Sequence, residues 1–204
     1  MPKSKNKTKE YYEKNSEIWT EKKTNSFHHE KAFTVFSSLL KDRALVIDIG
    51  CSWGIHVPLF LGIGRKLRYE GMDIAKAFLK IARRRYPQLT FYQGDISRAK
   101  TLPNKKYDGF WAGAVLMHVP LEDWGQMFKN IEKITKKGAI GYFSLPVEHP
   151  SGDNLNTDPR HFTLLTEKEQ IQIIKNQGWT IIKKGTMDGF TKSGIWKWYI
   201  VRLP

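Results

Sequence analysis

The chain has 204 residues and one cysteine, and its 34 Lys plus Arg against 20 Asp plus Glu give a formal charge of +14. That length holds one medium domain with a real core, and 40% hydrophobic with 13% aromatic residues is globular rather than disordered composition. No apolar stretch nears the roughly 20 residues of a membrane span, MPKSKNKTKE lacks the apolar segment of a secretory leader, and lone Cys51 makes neither an internal disulfide nor a cysteine-based zinc site. No membrane partner and no metal are therefore expected, and a cytoplasmic, reducing location is.

Periodicity then gives the elements in chain order. Residues 4–23 are polar with Tyr11, Tyr12, Ile18 and Trp19 interspersed, which predicts an amphipathic helix with a sparse apolar stripe. Residues 28–41 predict a second helix with Ala32, Val35, Phe36, Leu39 and Leu40 near one face. ALVIDI (44–49) is a short apolar run stopped by Gly50, as in a strand buried on both faces of a parallel sheet. A helix to about 63, a strand at 67–72, a helix at 75–86 stopped by Pro87 and a strand at 89–94 follow. A strand at 107–113, a helix at 121–136 broken by Gly138 and a strand at 139–145 continue the alternation. Residues 146–161 read as a long loop, 166–177 as a helix with Gly178 at its C-cap, and 179–185 and 195–203 as two strands with no helix between them. This order predicts an α/β, three-layer, Rossmann-like fold. Its seven-stranded sheet is mostly parallel with an antiparallel last strand. The expected layout is a single domain over 1–204, with 1–42 a helical cap or lid and 43–204 the core.

Ligands of such sheets bind at the carboxyl ends of the strands, near the switch point. Gly50 and Gly54 bracket a tight turn there, where glycine allows close backbone approach. The turn matches neither the dinucleotide fingerprint nor the Gly-Lys-Ser/Thr of a P-loop. Asp48 before it repels phosphate and suits a cationic ligand. Asp73, 23 residues after Gly50, stands where an acid accepts from both ribose hydroxyls, or caps the next helix. Asp95 stands where an adenine amino group would lie, with Ile96 to pack on the ring. Ala112, Gly113 and Ala114 leave room at the fourth strand end, and His118 projects beyond it. The basic stretch 65–85, with eight Lys and Arg against Glu70 and Asp73, is expected to face solvent on an outer helix.

The succession Asp48–Gly50–Cys51–Ser52–Trp53–Gly54, Asp73, Gly94–Asp95 and VLMHVP (115–120) resembles the class I S-adenosylmethionine-dependent methyltransferases. YYEKNSEIW (11–19), RHFTLLTEKE (160–169) and Gly178–Trp179 resemble, more narrowly, small bacterial members with a YYDKNAEEY-type first helix. The resemblance implies S-adenosylmethionine (SAM) as cofactor and S-adenosylhomocysteine (SAH) as product. It implies cofactor contacts at Tyr11, Trp19, Asp48, Gly50, Cys51, Ser52, Gly54, Asp73, Ile74, Asp95, Ile96, Ala112 and Gly113. Acceptor contacts fall to Tyr12, His118, Glu148, His149, Arg160 and His161, with His118 the candidate general base. The sequence departs from the family where Ser52 replaces a glycine, where bulky Trp53 follows, and where His56 is the first basic residue after the glycines.

In-line transfer from a sulfonium needs mainly alignment, a contribution of roughly 7–11 kcal/mol. The acceptor is expected to be a small molecule. WAGAV (111–115) is not the Asn/Asp-Pro-Pro-Tyr/Phe of DNA-adenine methylation. The charge keeps RNA or another anionic macromolecule as an alternative, as is a noncatalytic SAM- or SAH-binding protein. The oligomeric state stays open.

Overall fold

Alternation along the strands sorts the core into two layers. A computed structural model of the chain describes residues 3–21, 29–62, 64–147, 158–188 and 195–204. In β1 (Leu45–Ile49), β4 (Tyr107–Ala112) and β5 (Thr135–Pro146), Val46, Trp111 and Tyr142 enter one apolar cluster, and Ile47, Phe110 and Phe143 enter another. Side chains of a strand point alternately to opposite faces, so each cluster is one side of the sheet. Phe33 and Phe36 of α3 (Glu30–Ser38), Phe60 of α4 (Val57–Gly62) and Leu79 of α5 (Lys76–Arg85) fill the first side. Met127, Phe128 and Ile131 of α6 (Trp124–Ile134) and Ile174 of α7 (Glu167–Asn176) fill the second.

The sheet has seven strands in the order β3-β2-β1-β4-β5-β7-β6, with β2 at Arg68–Asp73, β3 at Thr90–Gln93, β6 at Thr180–Asp188 and β7 at Ile195–Arg202. The pairs among β1 to β5 are parallel, and β7 runs antiparallel between β5 and β6. This is the expected α/β architecture with its antiparallel last strand, which lies inside the sheet and not at its edge. Chain order reverses between β1 and β4, which opens a crevice above their carboxyl ends.

Local chemistry sets several boundaries. Thr166 and Glu169 form a reciprocal capping box at the start of α7, and Gly178, at φ 72°, ends it as expected. The single helix expected over 4–23 is two, α1 (Lys3–Lys14) and α2 (Ser16–Glu21). They meet at Asn15, whose side-chain amide and backbone N–H both donate to the Tyr11 carbonyl (2.8 and 3.0 Å). The helix expected to reach residue 136 stops at Ile134, and β5 starts at Thr135 and runs through Gly138. Thr135 pairs with Tyr107, and a register shift in β4 takes up the irregularity.

Candidate functional site

The crevice is a cavity of about 250 Å³ whose wall comes from every strand end at the switch point. Gly50 and Ser52 follow β1, Asp73 ends β2, Gly94, Asp95 and Ile96 follow β3, and Gly113 and Ala114 follow β4. Tyr12, Trp19, Arg160 and Phe162 close it from the N-terminal helices and the segment before α7.

Backbone strain concentrates in this wall. Three non-glycine residues among those described have positive φ, and two of them, Ser52 (52°) and Ala114 (53°), line the cavity. Ser52 holds a left-handed conformation that favours glycine. The strain aims its N–H at Asp73 Oδ2 (2.9 Å), and Asp73 Oδ1 accepts from Ala75 N–H (2.8 Å). Ala114 is held by its N–H to Ser144 Oγ (2.9 Å). Gly50 (φ 73°) also packs against the wall, since a Cβ there would stand 2.4 Å from Val115 Cγ2.

Asp73 is buried, and burial pushes its carboxyl up to about 6 against the lowering effect of the two backbone donors. Each of its oxygens keeps a further lone pair. Asp95 Oδ1 accepts from the Ser97 N–H (2.9 Å) and hydroxyl (2.6 Å), which fixes the loop after β3, and Asn130 Nδ2 donates to the Ile96 carbonyl (2.7 Å).

Of the three histidines in the wall, His118 and His56 have opposite wiring. His118 Nδ1 donates to the His161 carbonyl (2.6 Å), so Nε2 accepts from the Tyr12 hydroxyl (2.9 Å). Burial lowers its pKa to about 4. The expected candidate base is thus engaged at both nitrogens and holds α1 to the core. His56 instead turns Nδ1 to the carboxylate of Asp48 (3.2 and 3.3 Å), which also accepts from the Tyr69 hydroxyl (2.9 Å). Its Nε2 lies 2.8 Å from where a Cβ on Gly113 would stand, and no hydrogen bond occupies it among the described residues.

Arg160 ties these closing segments together. Its guanidinium binds Asp158 through two nitrogens (2.6 and 3.0 Å) and donates to Tyr12 Oη (3.3 Å). It stacks within 5.0–5.9 Å of Tyr11, Tyr12, Trp19 and Phe162. The His161 N–H donates to Thr8 Oγ1 (2.7 Å).

Residues 46–138 match a family model described as a methyltransferase domain. Over these residues the chain thus carries a methyltransferase domain. No curated protein matches its sequence. Among solved structures it is similar to magnesium protoporphyrin IX methyltransferase from Synechocystis PCC 6803 with bound SAH, at 17% identity, 98% of this chain, 100% of that one and a TM-score of 0.76. It is also similar to the N-methyltransferase NodS from Bradyrhizobium japonicum WM9 with SAH (14%, 98%, 99%, 0.72). A structure of the Haloferax volcanii Trm112 activator in complex with a methyltransferase matches at 14% identity, 97% of each chain and a TM-score of 0.79. At these identities the structures show a shared fold.

Within this methyltransferase the expected site residues divide. Trp19, Gly50, Ser52, Asp73, Ile74, Asp95, Ile96, Gly113, Tyr12, His118 and Arg160 line the cavity. Asp48, Cys51, Gly54 and Ala112 do not: Asp48 is fully buried behind His56, burial pushes the Cys51 thiol well up, and Gly54 packs against Tyr86. Tyr11 and His161 act from outside the wall, the first on Arg160 and the second through its backbone. Glu148 and His149 lie outside the described residues. The reading missed His29, His56, Phe78, Phe162 and Trp196, all in the wall. Only His56 carried a sequence signal, as the first basic residue after the glycine turn. Trp53 lines the cavity with its ring tilted against Phe78 (centroids 5.4 Å apart), in a cluster that Tyr12 and Trp19 complete.

Proposed function

We propose that this methyltransferase moves a methyl group from SAM to a small, flat and largely apolar acceptor enclosed in the cavity. The observation that carries this is the wall itself. Tyr12, Trp19, Trp53, Phe78, Phe162 and Trp196 supply aromatic surface, and among the described residues the one Lys or Arg in the lining, Arg160, is already bound to Asp158. A polyphosphate chain needs several uncommitted cations along its path, so the lining favours a metabolite over RNA.

The residues fit SAM: Gly50 and Gly113 keep the strand ends free of side chains, where a Cβ would meet Val115 and His56, and Asp73 offers two buried carboxylate oxygens. In this reading Asp73 accepts from the ribose, Asp95 and Ile96 receive the adenine, and Gly50 and Gly113 border the methionine arm. Bound there, SAM supplies a methyl carbon on a sulfonium, and the C–S electron pair stays with sulfur in SAH. The chain aligns the partners and excludes water beneath Tyr12, Trp19 and Arg160. Where the acceptor is a hydroxyl or ring N–H, His56 Nε2 takes its proton and Asp48 stabilises the imidazolium.

Incubation of the full chain with methyl-labelled SAM and a cell extract tests the reading. Label is expected in the low-molecular-mass, solvent-extractable fraction, and label confined to RNA or precipitated protein overturns it. With that acceptor in hand, His56→Asn is expected to cut kcat about 10²–10⁴-fold at unchanged SAH affinity. His118→Asn is expected to weaken cofactor binding more than it slows the bound complex. Equal kcat losses in both variants would remove His56 from the base role.

A further inference from the structure

The parallel sheet collects the chain's excess charge at the end opposite the cavity. The parallel strands are entered there, and cations stand at the entries of four of the five, β1, β2, β4 and β5. Lys41 and Arg43 precede β1, Arg65 and Lys66 precede β2, Lys106 precedes β4, and Lys137 stands in the first turns of β5. All six are exposed, and none makes an ion pair among the described residues. The register joins them, since Leu45 pairs with Arg68, Arg43 N–H donates to the Lys66 carbonyl (2.7 Å) and Leu45 N–H donates to Asp108. At about 4.8 Å per strand, β2, β1, β4 and β5 spread these cations over roughly 15 Å. Of the acids nearby, Glu70 is engaged by Lys105 and Asp108 by Lys136, while exposed Asp42 stands between Lys41 and Arg43 and leaves the rim strongly cationic in sum.

Two exposed leucines stand within this basic rim. Leu39 (36% exposed) follows α3 two residues before Lys41, and Leu61 (60%) lies in the last turn of α4, four residues before Arg65. The two helix ends are adjacent, because a Cβ on Gly64 would stand 2.4 Å from Ser37 Oγ. The exposed large apolar side chains among the described residues include no aromatic, so this face offers bases no stacking platform. Cations around protruding aliphatic side chains suit a bilayer interface, where the charges meet anionic headgroups and the leucines enter the acyl boundary.

We infer that this end of the protein docks on anionic lipid membranes, with the active-site mouth turned away from the bilayer. The inference reverses the expectation of no membrane partner. That expectation rests on the apolar length needed to span, and docking needs only exposed cations and a few apolar side chains. No helix among the described residues is long and apolar enough to cross a membrane, so the contact is peripheral.

Co-sedimentation of the full chain with vesicles tests this at 100 mM salt. Binding is expected to vesicles of phosphatidylcholine with 30% phosphatidylglycerol, with little to phosphatidylcholine alone, and it is expected to weaken as salt rises. Replacing Lys41, Arg43, Arg65 and Lys66 by Gln is expected to lower partitioning about 100-fold or more. Leu39→Gln with Leu61→Gln is expected to lower it about 10-fold while all charges stay. An SAH-induced rise in melting temperature serves as the folding control for each variant, since none of these residues lines the cavity. Equal binding to both vesicle types overturns the inference. So does a leucine variant that binds as well as the parent, or a 20-nucleotide RNA that binds more tightly than the anionic vesicles.

Discussion

In the proposed reading of the cavity, Asp73 sets both cofactor affinity and pH response. Its carboxylate form offers the ribose two charged acceptors, each such hydrogen bond being worth about 1.5–3 kcal/mol. Asp73→Ala is therefore expected to weaken SAH binding at least tenfold in a calorimetric titration at pH 7.5. In the parent, affinity is expected to fall as pH drops through about 6, where burial has placed its titration. In the free protein the sign differs. A buried carboxyl that titrates near 6, against 3.8 ordinarily, holds its proton when the unfolded chain does not, so it adds stability at low pH that is lost as pH rises from about 4 to 6. His118 works the other way. Lowered to about 4 from 6.5, it adds stability above 6.5 that is lost as pH falls toward 4. The two oppose each other over one window. Asp73→Asn leaves the histidine unopposed, so between pH 7 and 5 its melting temperature is expected to fall more than the parent's. A parallel decline in both proteins would refute this.

At the scale of elements, α1 docks by chemistry that spans most of the chain. No side chain caps α5, because Ala75 stands at its N-cap position. Glu13 of α1 does that instead, its two carboxylate oxygens accepting from the N–H groups of Lys76 (2.7 Å) and Ala77 (2.9 Å). An anion at a helix N-terminus is favoured by the open donors and by the dipole. Glu13 is partly exposed, so about 1–2 kcal/mol is the expected cost of Glu13→Ala, or roughly 2–8 °C of melting temperature by calorimetry. Because α1 also carries Tyr12 into the cavity wall, removal of residues 1–21 is expected to weaken SAH binding while the far-ultraviolet spectrum of the sheet persists. Unchanged affinity would take the lid role away from these helices. The amphipathic stripe announced this helix, and its docking partner was invisible, since Glu13 and Lys76 are 63 positions apart and nothing in either segment names the other.

For the whole molecule, ligand binding and stability are one equilibrium. A ligand specific for the folded state adds about 2.7 kcal/mol at a hundred times its dissociation constant, and each kcal/mol moves the melting point of such a chain by about 2–4 °C. SAH is expected to raise the melting temperature by roughly 5–11 °C, and NAD is expected to raise it far less. A larger shift with NAD would overturn the assignment of the cavity to SAM. The expectation that residues 65–85 face solvent agrees with the exposure of all eight of their cations.

What the sequence by itself determined was local and periodic. Buried apolar runs such as LVIDI and FWA set the strands, amphipathic stretches set the helices between them, and their alternation pointed to a mostly parallel sheet with its ligand at the carboxyl ends of the strands, while the strand order, with β7 between β5 and β6, came from the pairing. Gly50, Asp73, Asp95 and Gly113 were legible for that reason, because each directly follows or ends a strand at the crevice. Tertiary structure alone decided the wiring between side chains remote in sequence. His118 differs from His56 only in its partners, the Tyr12 hydroxyl and a backbone carbonyl for the first, and the Asp48 carboxylate for the second. Hydrogen bonds act over about 3 Å and disregard chain separation. Which histidine keeps a nitrogen for chemistry was therefore settled only when α1, the glycine turn and the segment before α7 came together.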